Sequence, residues 1–442
     1  MTLDMTRGTP WKRMLRFALL LMLSALLQQL YTMCDSMIVG RLLGTEAFAA
    51  IGSASNLNWF PLSMISGATI GFGVALAQRF GSKDDEGLRC HFASSIVLSM
   101  LLGFILTVIG SLNVKPFLHL LRTPAELMPY ANRYLRVLWA GLFVTAALNI
   151  LTCALRAVGD SHTPFAALVV STIINIILDF LLIQYLHMGV EGAAAATVLS
   201  QVVAVIWCLH AIICKASIFP QRRQWKPQKA IVKELLRLGI PHLLCQGVTA
   251  SGELWIQSAI NAYGALYVTG VTAARRHFNL LYVVGNGLEG ALATFAGQNW
   301  GANQKKRIVH GTRTAVAMGI SSSVVIAAFV CLFAEPLIRF YLPNSAIETI
   351  RIGTAALRVE AVFLPTLYLL CEYRAAIQGM GNAILPMLSG FLELLMRLLC
   401  AWLLPVVAGR SGLYFTDGLT WLVTMLMLLI CYQVLRKKHL TA

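Results

Sequence analysis

Charged residues are scarce in this chain of 442 residues. Asp, Glu, Lys and Arg together make up 12% of the sequence, against about 25% in an ordinary soluble protein. Hydrophobic residues make up 58% of it. This composition excludes an ordinary soluble domain. It is typical of an integral membrane protein, in which each crossing helix needs roughly 20 mostly apolar residues.

Motifs for metal binding and catalysis are also missing from the sequence. The ten cysteines stand singly, without a CxxC pair or a Cys/His cluster, so we expect small buried hydrophobes rather than ligands or disulfide partners. No HExxH or GxSxG motif occurs. We therefore expect no catalytic residues, no enzyme activity and no organic cofactor, and a membrane-embedded enzyme stays only as the alternative from another class.

Long apolar stretches recur along the whole chain and predict an all-α integral membrane protein with twelve transmembrane helices. The amino terminus lacks a small-residue cleavage site after a short apolar region, so we expect the first stretch to be retained. The predicted spans are 15–38, 47–77, 90–111, 130–157, 163–184, 190–213, 236–263, 268–298, 311–333, 354–379, 383–408 and 414–435.

Basic residues dominate the net charge of +16, and most of them fall between alternate spans. Examples are the run beginning "KASIFPQRRQWKPQK" at 215 and "RKKH" at 436–439. This is the positive-inside pattern, which predicts a multi-pass protein of the plasma membrane, of the bacterial inner-membrane type, with both termini cytoplasmic. The basic surface is expected to face anionic lipids rather than nucleic acid.

An internal repeat divides the sequence into two similar halves. "AQRFGSKDDEGLR" from 77 aligns with "GQNWGANQKKRI" from 297 at a shift of 220, and "LRAVGDSHTP" from 155 aligns with "IQGMGNAILP" from 377 at a shift of 222. Six spans in each half predict a parallel repeat. We expect an amino-terminal lobe over 1–213, a basic cytoplasmic linker over 214–234 and a carboxy-terminal lobe over 235–442.

Carboxylates inside apolar spans are the strongest functional signal. Asp35 stands in the segment "LYTMCDSMIVG", and Asn175 and Asp179 are spaced i, i+4 on one face of the fifth span, with Thr197 in the sixth. Intramembrane carboxylates are costly and are functional candidates by default. Together the four residues supply oxygens for a proton or a hard cation such as sodium. The alternative is that Asp35 ends its span at the headgroups and Asp179 pairs with a basic group.

The sequence resembles the multidrug and toxin extrusion (MATE) transporters over essentially its whole length. The resemblance is carried by "QQLYTMCDSMIVGRLLGTEAFAAIG", "AQRFGSKD", "GQNWGANQ", "LRAVGDSHTP" and "NIILDFLLI". It implies two six-helix lobes and export driven by an inward sodium or proton gradient. In the branch with its cation site in the amino-terminal lobe, that site corresponds here to Asp35, Asn175, Asp179 and Thr197.

The second half departs from the resemblance at one place and adds charges of its own. The position where another branch carries a coupling Glu is Thr249, and Glu253 stands one turn further along. Glu393 and Arg397 are spaced for an intrahelical pair. The residues that we expect to line a substrate cavity are Glu253, Trp255, Glu289, Tyr368 and Glu372.

These observations predict a secondary active antiporter that exports organic, cationic or amphipathic solutes by alternating access, in exchange for sodium ions or protons. Sodium, if used, is expected at Asp35, Asn175 and Asp179, with no other metal. Small organic solutes and membrane lipids are the expected partners of a monomer. The alternative within the same superfamily is a lipid-linked saccharide flippase, which would use the arginines of the second half.

Overall fold

The computed structural model describes residues 3–120, 123–124, 126–214, 218–343 and 346–440. Within these ranges the chain forms thirteen α-helices and no β-strand. The all-α fold class predicted from the apolar stretches is confirmed.

Seven helices come from the first half and six from the second. The first seven are α1 (Pro10–Leu43), α2 (Thr45–Gly81), α3 (Asp85–Leu120), α4 (Met128–Ala140), α5 (Leu142–Ala157), α6 (His162–Asp179) and α7 (Gly189–Cys214). The other six are α8 (Lys229–Asn261), α9 (Ala265–Gly301), α10 (Lys305–Tyr341), α11 (Ile347–Gly379), α12 (Ile384–Ala408) and α13 (Thr416–Leu435).

A bend at Gly141 separates α4 from α5, whose axes differ by 48°. The single span predicted over 130–157 is therefore bent into two helices. A Cβ at Gly141 would lie 2.5 Å from Cγ2 of Val198 on α7, so the glycine both permits the kink and lets α7 approach. With this pair counted as one span, the described residues contain six long helices in each half.

Not every one of these helices is apolar enough to be recognised as a membrane span by itself. Eight stretches of the described chain, or nine with the bent pair, are long and apolar enough to cross a membrane. Neither α8 nor α9 is among them. Both carry ionisable residues in their interior, including Glu253 on α8 and Arg276 on α9.

The chain packs into two compact units that do not follow the boundary of the repeat. Unit 1 contains Leu3, Asp4 and Leu23–Gly247, and unit 2 contains Met5–Met22 and the chain from Val248 onward. The beginning of α1 thus belongs to unit 2, and the beginning of α8 belongs to unit 1. The division into lobes with a linker over 214–234 stays a prediction, and residues 215–217 of that linker lie outside the described residues.

Glycines on α2 and α9 allow close packing of the beginning of α8 within unit 1 and of the beginning of α1 within unit 2. On α2, Gly67 and Gly71 face α8, and a Cβ at Gly71 would lie 2.6 Å from the carbonyl oxygen of Leu238. On α9, a Cβ at Gly287 would lie 2.5 Å from Cγ of Met22 on α1. Gly67 and Gly287 differ by the shift of 220 that relates the two halves. Small residues at these positions let the helix backbones approach, so the duplicated sequence produces the same crossing twice.

An ion-pair network fixes the beginning of α8 within unit 1, in the basic region before the predicted seventh span. Oε2 of Glu234 lies 3.2 Å from Nε2 of His91 on α3 and 3.0 Å from NH2 of Arg79 on α2. Arg79 also pairs with Asp84 at 3.5 Å. The hydrogen bond with His91, followed by the charge of Arg79, lowers the pKa of Glu234 from its ordinary value of 4.5.

Candidate functional site

Three of the four predicted cation-site residues are buried inside unit 1. Asp35 lies on α1, and Asn175 and Asp179 lie on the last turns of α6. The exposed fraction is 7% for Asp35 and 0% for both Asn175 and Asp179. Thr197 on α7 is half-buried. Each carboxyl group of the aspartate pair interacts electrostatically with the other, so folding brings together residues that are 144 positions apart in the sequence.

Several side-chain atoms of Asp35, Asn175 and Asp179 have no hydrogen-bond partner in the described part of the protein. Oδ1 of Asp35, both carboxyl oxygens of Asp179 and both polar side-chain atoms of Asn175 are buried and make no hydrogen bond there. Such atoms are rare in folded proteins because each loses its water without compensation. The geometry does not agree with either alternative interpretation, since Asp35 is buried and Asp179 has no basic partner among the described residues.

Two tyrosines complete the group and were missed from the sequence. The hydroxyl of Tyr31 on α1 donates to Oγ1 of Thr197 at 3.2 Å. Tyr31 and Tyr134, the latter on α4, both interact electrostatically with Asp35 and Asp179. The position of Tyr31, one turn before Asp35 on the same helix face, was a usable signal. Nothing in the local sequence around Tyr134 indicates that α4 meets α1.

A π-helical turn follows the site directly. It spans Phe180–Tyr185 and begins at the residue after Asp179. Single π-helical turns interrupt the regular hydrogen bonding of a helix and are frequent at functional sites. The interruption here places a change of helical pitch next to the buried carboxylate.

The donor set fits a proton or a hard monovalent cation. No group of three or more His, Cys, Asp or Glu residues suited to a metal ion exists within the described ranges. Two carboxylates, one amide and one hydroxyl offer oxygen ligands, which hard cations prefer. A proton shared between neighbouring carboxyl groups would relieve their repulsion in the same way.

A polar cavity of about 250 Å³ lies beside this group in unit 1. Its walls come from α1, α5, α6 and α7, and Tyr31 is one of its lining residues. On α1, Ser24, Gln28 and Tyr31 line it at helical spacing. The cavity therefore adjoins the aspartate pair through Tyr31.

The residues predicted to line a substrate cavity in the second half fall into two places. Glu253 and Trp255 are exposed on α8. Tyr368 and Glu372 are buried on α11, next to Gly319 of α10. Tyr368 donates its hydroxyl to the carbonyl oxygen of Leu281 at 2.7 Å.

Glu289 and Glu372 lie near each other in the interior of unit 2. Glu289 accepts a hydrogen bond from the hydroxyl of Tyr282 at 3.3 Å, whereas both carboxyl oxygens of Glu372 lack a partner among the described residues. The buried Tyr368 occupies the room left by Gly285, where a Cβ would lie 2.8 Å from its ring. A substrate role for these residues stays a prediction.

The arginines of unit 2 are paired differently from the sequence expectation. Glu393 pairs with Arg374 of α11, and Arg397 pairs through Nε with Oδ1 of Asp417 at 3.2 Å. Asp417 also pairs with Arg275 of α9 at 3.4 Å. The predicted intrahelical pair of Glu393 with Arg397 was wrong, because partners on neighbouring helices are in reach and spacing along one helix does not reveal them.

Two units with corresponding helices, and a buried oxygen-rich site beside a polar cavity, define a duplicated helical membrane transporter. The family model described as MatE matches residues 21–181 and 241–403, and the chain therefore belongs to the MATE family.

Known proteins resemble the chain over most of their length. It is 28% identical to "Probable multidrug resistance protein YpnP" of Bacillus subtilis (strain 168), covering 98% of this chain and 97% of that protein. It is also 28% identical to "Probable multidrug resistance protein YoeA" of the same organism, covering 80% of this chain and 78% of that protein. The solved structure of a MATE protein in the bent conformation matches with a TM-score of 0.91 and 26% identity, covering 99% of both chains.

Proposed function

We propose that this protein exports small organic solutes, cationic or amphipathic, in exchange for sodium ions or protons bound at Asp35 and Asp179. The observation that carries the proposal is the set of buried side-chain atoms of Asp35, Asn175 and Asp179 that have no partner among the described residues. A bound cation or proton supplies what these atoms lack. The names of the relatives, multidrug resistance proteins, support the solute class.

Coupling requires that the cation changes the affinity for the solute. A cation between Asp35 and Asp179 removes their repulsion and draws α1 toward the end of α6. Since Tyr31 of α1 lines the adjacent cavity, a movement of α1 alters the cavity as well. Two ligands that each favour a different arrangement of one element are coupled thermodynamically.

The remaining features of the proposal follow from the family and the charge pattern. The protein is a monomeric plasma-membrane transporter, not an enzyme, with both termini in the cytoplasm because basic loops stay on that side. Its solute site is reached alternately from the two sides of the membrane. Sodium and protons use the same oxygens, so the coupling ion is decided by experiment.

The test measures efflux of an organic cation from proteoliposomes under separately imposed sodium and pH gradients. We expect one gradient to drive efflux, and we expect Asp35→Asn and Asp179→Asn each to abolish it, because each removes a charge and little volume. Asn175→Ala removes one ligand and no charge, so it should reduce efflux less. Asp85→Asn is the matched control, since Asp85 is an exposed carboxylate on α3 of the same unit.

Two results would contradict the proposal. One is that neither gradient drives efflux of any organic cation from wild-type proteoliposomes. The other is gradient-driven efflux at the wild-type rate by both aspartate variants, which would leave the buried pair without a transport role.

A further inference from the structure

Arg156 is a cation in the polar cavity of unit 1 that has no counter-charge among the described residues. It lies on the last turn of α5, and among the described residues that line the cavity it alone carries a charge. No hydrogen bond or ion pair connects it to a described residue, and its Nε is buried without a partner. Arg156 is half-buried, and a charge that is partly removed from water is normally given a counter-charge by the protein. The missing counter-charge points to a ligand.

The nearest acidic residue in the sequence is already satisfied by other groups. Asp160 accepts hydrogen bonds from the backbone nitrogen of Thr163 at 3.0 Å and from the Thr163 hydroxyl at 2.7 Å. Both carboxyl oxygens of Asp160 thereby accept hydrogen bonds at the beginning of α6. Arg156 is left facing the hydroxyl and amide groups of the cavity.

The repeat shows that the fold does not need a cation at this position. Arg156 corresponds, at the shift of 222, to Gln378 on α11. Gln378 is buried, with 8% of its surface exposed, whereas Arg156 is half-buried, and Gln378 is neutral. The same helix end therefore packs with an uncharged side chain in the second half, so packing at this position does not require a charge.

The shape of the cavity limits what can fill it. It extends along α5 from Thr145 to Arg156, a distance of about 16 Å at the helical rise of 1.5 Å per residue. Its volume of about 250 Å³ is below the range of about 300–1,000 Å³ that holds whole drug-sized molecules. It suits a narrow solute or the polar end of a larger one.

We propose that this cavity binds the carboxylate of a solute, with the Arg156 guanidinium as its counter-charge. The planar guanidinium presents paired N–H donors that match two carboxylate oxygens. The proposal rests on the proposed export function, because it names a chemical group of the exported solutes, which are then zwitterions. Since Tyr31 lines the same cavity and donates to Thr197 of the cation site, a bound carboxylate is placed where cation binding can affect it.

The experiment is equilibrium binding to the purified full-length protein by isothermal titration, with no gradient and no transport. The probes are 4-aminobenzoate and 4-aminobenzamide, which share size and shape and differ in the carboxylate. We expect wild-type protein to bind the acid about tenfold to a hundredfold more tightly than the amide, as for a hydrogen bond to a charged group.

Variants at one position separate charge from geometry. Arg156→Gln introduces the residue type of the second repeat and should remove the preference for the acid, while Arg156→Lys should retain part of it. Arg223→Gln, an exposed arginine in the turn before α8, should bind both probes as the wild type does. The comparison of acid and amide on wild-type protein needs no variant, so it holds even if Arg156→Gln does not fold.

Four results are decisive. Equal affinity of wild-type protein for acid and amide overturns the proposal, and so does an unchanged preference in folded Arg156→Gln. Displacement of the acid by added phosphatidylglycerol would identify a lipid phosphate as the occupant and overturn the assignment to a solute. Carboxylate binding that depends on Arg156, in a protein that shows no gradient-driven efflux, would support this inference while the export function fails.

Discussion

The close crossing of α2 with α8 predicts a large difference between two glycine substitutions on the same helix. In Gly71→Ala, the new Cβ would lie 2.6 Å from the carbonyl oxygen of Leu238 and 2.7 Å from Cα of Gly239. Both atoms belong to the α8 backbone and cannot rotate away. The helices must therefore separate until this contact reaches at least 3.4 Å, the ordinary van der Waals range.

The magnitude follows from the cost of overpacking. Forcing a methyl group into a well-packed contact typically costs about 1–3 kcal/mol, whereas alanine in a helix interior is favoured over glycine by about 1 kcal/mol. Gly52→Ala provides the control, because a Cβ at Gly52 on α2 has no atom within 4 Å. We expect the two variants to differ by about 2 kcal/mol in the free energy of unfolding.

The assay is thermal unfolding of the detergent-purified protein at one fixed scan rate. For a domain of 150–250 residues, a change of 1 kcal/mol shifts Tm by about 2–4 °C, so Gly71→Ala should melt at least about 4 °C below Gly52→Ala. Equal melting temperatures would refute the reasoning, since they would mean that the α2 and α8 backbones are not in close contact.

Three further predictions concern the carboxylates. The double variant of Asp35→Asn with Asp179→Asn should bind cations no more weakly than either single variant, because residues that act as one unit are not additive; titration calorimetry that finds a further large loss would contradict a shared site. Glu253→Gln and Glu372→Gln should change solute affinity and keep cation binding, and loss of cation binding in either would place the site elsewhere. The pKa of Glu234 is lowered in the folded protein, so the folded state binds fewer protons and Glu234 contributes stability above its ordinary pKa of 4.5. Glu234→Gln should therefore lower Tm at pH 7, and the difference from wild type should disappear as the pH falls below 4.5; a difference that stays constant with pH would exclude an ionic contribution.

The sequence by itself determined the class of protein and picked out Asp35, Asn175 and Asp179, the main members of the proposed cation site. Apolar stretches long enough to cross a membrane predict helices because lipid leaves backbone groups no other partners. The spacing of Asn175 and Asp179 places both side chains on one face of α6 because a helix repeats every 3.6 residues. The repeat also follows from the sequence alone, since it is a comparison of the chain with itself.

The tertiary structure alone decided which helix faces meet. That Tyr134 of α4 joins Asp35 and Asp179, and that Arg397 pairs with Asp417 rather than with Glu393, depends on contacts between helices. Spacing along one helix shows which side chains share a face of that helix. It does not show which face of a neighbouring helix they contact.

The same reason explains the burial of Tyr368 and the lack of a partner for Arg156 among the described residues. Tyr368 is an aromatic residue suited to a cavity wall, yet it is fully buried because Gly285 of α9 leaves room for its ring. Arg156 stands in a segment rich in ionisable and polar residues, and only folding shows that none of the described ones pairs with it. Local backbone periodicity is encoded within a few residues, whereas the pairing of charges depends on packing between segments distant in the chain.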